Sequence, residues 1–387
     1  MQRFIISQSE ADLTSHAGLG LIGRALNECT NLAADAKAIS PLRSDAIGHA
    51  NILSSYVALL CLGKSDFEAI NGFREDPYFA TALDLDQVPS EGTLRQRMDG
   101  FAEQLKPILE DATIAFLLRS EAQLTPLANR WMPLDCDVTP FDNSHTNKEG
   151  VSRTYKGVDG YAPMAAYLGQ EGYCLELELR AGSQHCQNGT SQFLQRVLER
   201  ARQVTAAPLL LRIALFDWYE TRTYNGYTYS LRRVMRVVER TLDQHGQQLL
   251  VPEVTIEGWW TNLTFDEATI IALYADHATS EQFHSEFKTD LDIERLPSGK
   301  FATNAVILAG AQLAYNILRW IGQNGLLGPD APPRHRAKRR RIRTVMQELM
   351  YLAARLIHTG RRLKLAFGSG CRVVPIFRRL YEQLAWT

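Results

Sequence analysis

The sequence predicts a mixed α/β protein with a helical N-terminal region, a central group of strands and a basic helical C-terminal tail. The segments NILSSYVALLCLG and DATIAFLL carry apolar residues at helical spacing. The segments WMPLDCDV, APMAAYLG, YCLELELR and APLLLRIAL are short apolar runs bounded by Gly, Asn or Pro, which is typical of strands. The helical segment SQFLQRVLERARQV precedes the last of these strands, and TNAVILAGAQLAYNILRWIG predicts a long, buried helix further on.

Composition favours a globular protein of the cytoplasm. The chain has 387 residues, of which 45% are hydrophobic, and can bury a sizeable core. No apolar run approaches the roughly 18 residues that span a bilayer, and the N-terminus lacks the apolar core of a signal peptide. The six cysteines include no C-x-x-C pair, so we expect reduced thiols rather than a zinc site or disulfides.

The overall charge of −1 conceals a basic tail. Residues 331–387 contain 14 Lys and Arg against two Glu, a net charge of +12, which leaves −13 for residues 1–330. Within the tail, RHRAKRRRIR is dense enough to bind a phosphate backbone, and Arg339 and Arg340 are its candidate contacts. A solvated basic surface is an equally good interpretation of these charges.

The segment VPSEGTLRQRM predicts a short helix that begins after Ser90, a residue type that caps helix N-termini. This helix carries Arg95 and Arg97 and so resembles the recognition helix of a helix-turn-helix. Arg95 is therefore a candidate DNA contact. Short helices with Arg and Gln are common, however, and the signal is weak by itself.

The section from Tyr224 to about Leu263 is rich in strand-forming residues and contains two adjacent tryptophans, Trp259 and Trp260. Neighbouring strand residues point to opposite faces, so one tryptophan can pack in a core while the other contacts a ligand. Trp260 is the preferred candidate for that contact because it is nearer to the loop TNLTFDE. The alternative is that both are structural.

Two carboxylates, Asp135 and Asp137, lie at the end of the first strand in LDCDVTPFDNS. Alternation places both on one face, and carboxylates at a strand end that faces solvent are natural ligands for Mg²⁺. Acidic residues at such a place more often cap turns. The metal interpretation therefore requires another carboxylate from elsewhere in the chain.

A polar stripe is predicted in YADHATSEQFHSEFK, at residues 274–288. Its members are Tyr274, His277, Glu281 and Lys288. On one helix these positions fall within an arc of about 60°. Two other interpretations are open: the stripe is a solvated face, or Thr279 and Gln282 form a capping box that starts the helix after His277.

These intervals resemble a signature of the DDE transposases of bacterial insertion sequences. The signature reads Tyr, two residues, Arg, three residues, Glu, six residues, Lys, and this chain has His277 in place of the Arg. The segments LDCDVTPFDNSHTNKEGVSRTYKGVDGYAPM and HATSEQFHSEFKTDLDIERLPSGKFATNA also resemble the blocks around the first Asp and the Glu in one subgroup. The resemblance covers most of the chain.

The resemblance implies an RNase H-like core whose D-D-E triad holds two Mg²⁺ ions, or Mn²⁺ in their place, to cut and join DNA. Asp137 is implied as the first ligand because its D-x-T spacing to Thr139 matches the family, with Asp135 as the alternative. Glu281 is implied as the third ligand.

The same resemblance implies DNA contacts near the cleaved bond. Tyr274 and Lys288 would contact phosphate, and His277 would do so more weakly than an Arg at neutral pH. Related enzymes with an inserted β-domain use an aromatic residue to hold a flipped base, which is the role expected for Trp260.

The second Asp of the triad is absent from its expected position. The family places it after a strand that reads roughly LLLRxD, and in LLLRIALFDWYE that position is Ala214. Asp217 lies three residues later and is the candidate replacement. Several dozen residues that normally follow are absent, which predicts an internal deletion that joins the fourth strand to the β-rich section.

Five regions follow from these patterns: helical and DNA-binding (1–128), first part of the core (129–220), β-rich insertion (221–264), second part of the core (265–325), and basic helical tail (326–387).

Two functions are open. The first is an active transposase, a homodimer on paired inverted-repeat ends of double-stranded DNA in the bacterial nucleoid. The second is a deleted derivative that only binds DNA or dimerises. Neither involves a membrane.

Overall fold

The protein is described here by a computed structural model. The structure describes residues 8, 10–39, 46–128, 130–186, 188–213, 221–224, 227–242, 247–332, 337–360 and 362–385.

The helices in chain order are α1 (Leu19–Cys29), α2 (Leu32–Lys37), α3 (His49–Cys61), α4 (Pro77–Ala82), α5 (Glu91–Arg119), α6 (Thr190–Val204), α7 (Glu267–Ala275), α8 (Ser280–Ser285), α9 (Phe301–Gly325), α10 (Ile342–Val345) and α11 (Val374–Gln383). The strands are β1 (Leu13–Thr14), β2 (Met132–Val138), β3 (Phe141–Asp142), β4 (Ser152–Arg153), β5 (Asp159–Tyr161), β6 (Met164–Leu168), β7 (Tyr173–Glu178), β8 (Leu209–Ile213), β9 (Thr221–Tyr224), β10 (Tyr227–Ser230), β11 (Arg232–Leu242), β12 (Gln248–Thr261), β13 (Ala354–Thr359) and β14 (Arg362–Phe367). Short 3₁₀ and π-helical turns occupy Phe67–Phe73, Asp276–Thr279, Glu286–Asp290 and Met346–Met350.

A four-stranded sheet in the order β7-β6-β2-β8 lies at the centre and contains the four strands that the sequence predicts. β6 is antiparallel to β2 and β7, whereas β8 is parallel to β2. Every residue of β6 is buried, which shows that both faces of the sheet are covered. Strands buried on both faces read as continuous apolar runs, because neither face selects for polar residues.

The N-terminal helices and the sheet pack on one long helix, α9. α3 and α5 lie against α9, which also contacts β7. By length and composition α9 could cross a membrane, but 83% of its apolar stretch is buried inside the protein, which makes it a core helix. The prediction of a long buried helix at this place is confirmed.

The helix predicted after Ser90 begins there but is not short. The Ser90 hydroxyl accepts a hydrogen bond from the Thr93 backbone N–H at 3.2 Å, so the predicted cap is formed. α5 then continues to Arg119 with a kink at Phe101, where φ is −128° and ψ is 19°. The difference arises because buried apolar residues recur at helical spacing across the kink, including Met98 and Leu105.

The predicted β-rich section consists of two hairpins, β9–β10 and β11–β12. In the longer hairpin Trp259 lies opposite Val234, and Trp260 lies opposite Arg233. Because neighbouring strand residues alternate, the two tryptophans occupy opposite faces of the ribbon.

The C-terminal region differs from the all-helical prediction. β13 and β14 form a hairpin, and β13 also pairs with β1 near the N-terminus. The alternating segments ARLIHT and RLKLAF suit strands, and Gly360 supplies a φ of +56° between them. The region is basic as predicted, and its helical parts among the described residues are α10, the π-helical turn Met346–Met350 and α11.

Candidate active site

Asp137 lies at the carboxyl end of β2, where the sheet opens towards solvent. Its Oδ1 atom accepts a hydrogen bond from the Val138 backbone N–H at 2.8 Å. Its side chain is 23% exposed, so the carboxylate has room for a ligand.

Glu281 lies on a nearly continuous helical segment formed by α7, the 3₁₀ turn, α8 and the following π-helical turn. Thr279 has helical dihedrals (φ −65°, ψ −22°) and its side chain forms no cap, so the helix does not start there. The stripe from Tyr274 to Lys288 is therefore carried by one segment. Glu281 itself is exposed.

Two contacts hold the helical segment close to the sheet: a close approach of a ring to a glycine backbone, and a buried ion pair. Gly172, at φ +73° in the β6–β7 turn, has no room for a Cβ atom because the Phe283 ring lies 2.1 Å from where it would be. Glu286 is buried and forms an ion pair with Arg319 of α9, which is 1% exposed. Because Phe283 and Glu286 lie on the same helical segment as Glu281, these contacts fix the position of Glu281 relative to the sheet.

Asp137 and Glu281 open onto one cleft of about 450 Å³. The other residues that line it are Arg236, Glu257, Gly258, Trp259, Ile271, Tyr274, Ala275, His277 and Ser280. The structure thus brings together the first and third predicted ligands, from β2 and from α8. This cleft is the candidate active site.

Asp135, the alternative first ligand, does not line this cleft. It is 3% exposed, and Arg212 of β8 holds both its oxygens, with Nε 2.5 Å from Oδ1 and Nη2 2.6 Å from Oδ2. His277 Nδ1 lies 3.0 Å from the same Oδ1 atom. The carboxylate of Asp135 is therefore engaged inside the protein.

His277, a predicted DNA contact, is largely engaged inside the protein. It is 5% exposed and its Nδ1 atom is hydrogen-bonded to Asp135, although His277 also lines the cleft. A phosphate contact by His277 stays a prediction.

Trp259, rather than the preferred Trp260, lies in the cleft beside the two carboxylates. Its ring centroid is 6.0 Å from that of Tyr274. Trp260 stacks instead with the Arg233 guanidinium, at 5.3 Å on the other face of the ribbon. The strand register decides which ring faces the cleft, and sequence proximity to a loop does not.

Tyr274 and Lys288 lie at the two ends of the predicted stripe. Tyr274 is 38% exposed and its pKa is raised, mainly by burial and further by the charge of Asp137. The Lys288 ammonium lies 5.8 Å from the centre of the Phe141 ring. Burial lowers the pKa of Lys288, which Glu294 partly offsets.

Two residues of the site have no part in the sequence prediction. The Tyr155 hydroxyl donates a hydrogen bond to the Val138 carbonyl at 3.1 Å. Burial of that hydroxyl raises the pKa of Tyr155, and the charges of Asp137 and Glu281 raise it further. His284 contacts Asp137 at 3.4 Å. Its position, one helical turn after Glu281, is a spacing that could have indicated it.

The basic segment of the tail runs along the helix that carries Glu281. Arg339 donates to the Gln282 side chain at 2.7 Å, and Arg341 pairs with Asp290 at 2.8 Å. Glu281 and Arg339 share a second cavity of about 570 Å³. Arg340 also lines this cavity, but it is 5% exposed and donates to the Leu326 carbonyl.

Arg95 lies far along the chain from the cleft, on the exposed side of α5. It pairs with Glu91 at 3.2 Å and its guanidinium lies 5.1 Å from the centre of the Phe67 ring.

Asp217, the candidate second ligand, lies outside the described residues. Within the described ranges, no group of three or more His, Cys, Asp or Glu side chains is placed to share a metal ion.

A strand-end Asp and a helix-borne Glu that open onto one cleft match two of the three positions of the predicted D-D-E triad. The family model for "Transposase DDE domain group 1" matches residues 4–213 and 216–387, and the chain belongs to this family. The predicted resemblance to a DDE transposase is confirmed. The family supports a transposase function, implies a DNA substrate and generally uses a divalent metal. A search of curated proteins finds no match.

Proposed function

We propose that this protein binds terminal inverted repeats and cuts and joins phosphodiesters there, with Asp137 and Glu281 as metal ligands. The observation that carries the proposal is that these carboxylates line one solvent-open cleft although they come from separate elements. A cleft open over about 450 Å³ has room for a DNA strand end, and its Trp259 and Tyr274 rings offer stacking surfaces.

The central sheet supports an RNase H-like core. Three antiparallel strands, β7, β6 and β2, are followed by β8, which is parallel to β2. Asp137 ends the strand at the middle of this arrangement. We propose that residues 129–220 and 265–325 form the core, with residues 221–264 as its insertion.

The donor set fits Mg²⁺, which proteins commonly hold through one or two carboxylates together with substrate phosphates. Asp137 and Glu281 would hold the ion, and Asp217 is proposed as the further ligand. Bound there, the ion would supply Lewis-acid activation of the attacking oxygen and would stabilise the leaving oxygen. Trp259 would stack on a base, and Tyr274, Lys288 and the exposed part of the basic segment would bind phosphates.

The helical region 1–128, with Arg95, is proposed to contribute further DNA binding, and the protein is proposed to act as a homodimer on paired ends. Region 326–387 would add phosphate contacts through its basic segment. The side chains proposed for this are Arg339 and Arg341, which lie beside the helix of Glu281, and the exposed Arg343.

A second candidate function is DNA binding without cleavage. Two observations favour it: among the described residues no group of three or more His, Cys, Asp or Glu side chains is placed to share a metal ion, and the family match is interrupted between residues 213 and 216. That interruption falls where the sequence lacks the second Asp, as an internal deletion would produce. Such a derivative would occupy inverted repeats or dimerise with an intact copy.

Cleavage of inverted-repeat DNA with Mg²⁺ or Mn²⁺ separates the two functions. In the first case Glu281→Gln abolishes cleavage and retains DNA binding, because an amide is a far weaker Mg²⁺ ligand. Glu257→Gln is the matched control, since Glu257 lines the same cleft but pairs with Arg236 at 2.6 Å. Binding by the parent protein without any cleavage would establish the second function.

A further inference from the structure

We infer that Asp135 is a positioning residue, which together with Arg212 and His277 fixes the two elements that carry Asp137 and Glu281. The inference rests on the proposed function, because it concerns the geometry of that cleft. The three side chains are called the Asp135 network below.

The contacts of the Asp135 network converge on one buried carboxylate. Arg212 donates two hydrogen bonds to the Asp135 carboxylate, of 2.5 and 2.6 Å, and His277 Nδ1 lies 3.0 Å from it. Arg212 also donates through Nη1 to the Leu273 carbonyl at the end of α7, at 3.0 Å. All three side chains of the network are at most 7% exposed.

The position of each member matters for the cleft. Asp135 lies two residues before Asp137 on β2, and His277 lies four residues before Glu281 on the helical segment. Arg212 is on β8 and reaches both elements. A planar guanidinium held at two oxygens fixes orientation as well as distance. The network therefore sets the separation of the two proposed metal ligands.

Asp135 is a poor candidate for a ligand itself. Its oxygens face Arg212 and His277, and the carboxylate borders a separate cavity of about 40 Å³ that Thr279 and Arg339 also line. This carboxylate is already neutralised by the Arg212 guanidinium.

The first test is amide hydrogen exchange on the metal-free protein. Asp135→Asn and His277→Leu should speed exchange across residues 274–288, whereas His277→Asn should not, because its amide can replace the Nδ1 donor. Arg200→Gln is the matched control: it breaks a buried pair with Glu176 on β7, at the opposite edge of the sheet. The control should leave 274–288 unchanged.

The second test is Mn²⁺ affinity, measured at a temperature where every variant is folded. Asp135→Asn and His277→Leu should weaken binding by about 10- to 100-fold, while His277→Asn and Arg200→Gln stay near the parent value. The inference is overturned if Asp135→Asn and His277→Leu leave hydrogen exchange across residues 274–288 unchanged. It is also overturned if these two variants speed exchange there but bind Mn²⁺ as tightly as the parent protein. A parent protein that binds no Mn²⁺ overturns the proposed function instead, and the exchange pattern then decides the network.

Discussion

The Nε2 atom of His284 lies 3.4 Å from the Oδ2 atom of Asp137, and Nδ1 of the same ring lies 3.1 Å from the Tyr167 hydroxyl. Both His284 and Tyr167 are buried, so the strand-end carboxylate is backed by a polar chain inside the protein. Groups that contact a metal ligand from behind commonly set its orientation. His284 is in this position for Asp137, the proposed metal ligand.

Replacement of His284 by Phe should weaken Mn²⁺ binding by about 10- to 100-fold. It should also cost about 1–3 kcal/mol of stability, because the buried Tyr167 hydroxyl loses its partner. Adding Tyr167→Phe removes that hydroxyl and should restore stability without restoring affinity. Calorimetric titration and thermal unfolding measure the two effects, and full recovery of Mn²⁺ affinity in the double variant would contradict the role given to His284.

Asp137→Asn should mainly reduce activity, whereas Asp135→Asn should mainly reduce stability. Asp137→Asn should abolish cleavage with little change in melting temperature, since its side chain is partly exposed. Asp135→Asn should lower the free energy of unfolding by about 3–5 kcal/mol, because Arg212 is left with an uncompensated buried charge. Chemical denaturation and cleavage assays compare them. Equal stability of the two variants would show that Asp135 is not paired as described.

Trp259→Ala should reduce unstacking of a terminal base, whereas Trp260→Ala should leave it unchanged. The reason is that Trp259 lies in the cleft with both carboxylates and Trp260 stacks on Arg233 across the ribbon. Loss of a base–aromatic stack costs about 1–3 kcal/mol. Fluorescence of 2-aminopurine at the DNA end measures base unstacking. A larger change for Trp260→Ala than for Trp259→Ala would show that Trp260 is the residue that stacks on the base.

Arg343→Ala should reduce the slope of log binding constant against log salt by about 0.9, the effect of one lost phosphate contact. Its side chain is 64% exposed, in contrast to the buried Arg340. Arg340→Ala should instead lower the melting temperature. Arg202→Ala, an exposed Arg on α6, is the control for nonspecific charge loss. An identical slope for the parent and Arg343→Ala would exclude Arg343 as a phosphate contact.

Much of the fold could be predicted from the sequence because local patterns suffice for it. Short apolar runs bounded by turn residues became β2, β6, β7 and β8, and the apolar segment at 303–322 became α9. The length of α5 and the hairpin β13–β14 were missed. In α5 the helical spacing continues through a kink, and the hairpin has a charged pattern that suits an exposed strand as well as a helix.

By itself the sequence determined the helices and strands of the core, the basic end, and the spacing that singles out Glu281 and the Asp135–Asp137 pair. Only the tertiary structure distinguishes the surroundings of those two Asp residues, which share a residue type and a strand face. Arg212, 77 residues away, and His277, 142 residues away, both bind Asp135 and leave Asp137 open to the cleft. Contacts between residues so far apart depend on how the chain folds back, and no local pattern encodes them. The strand register that turns Trp259 to the cleft was decided in the same way.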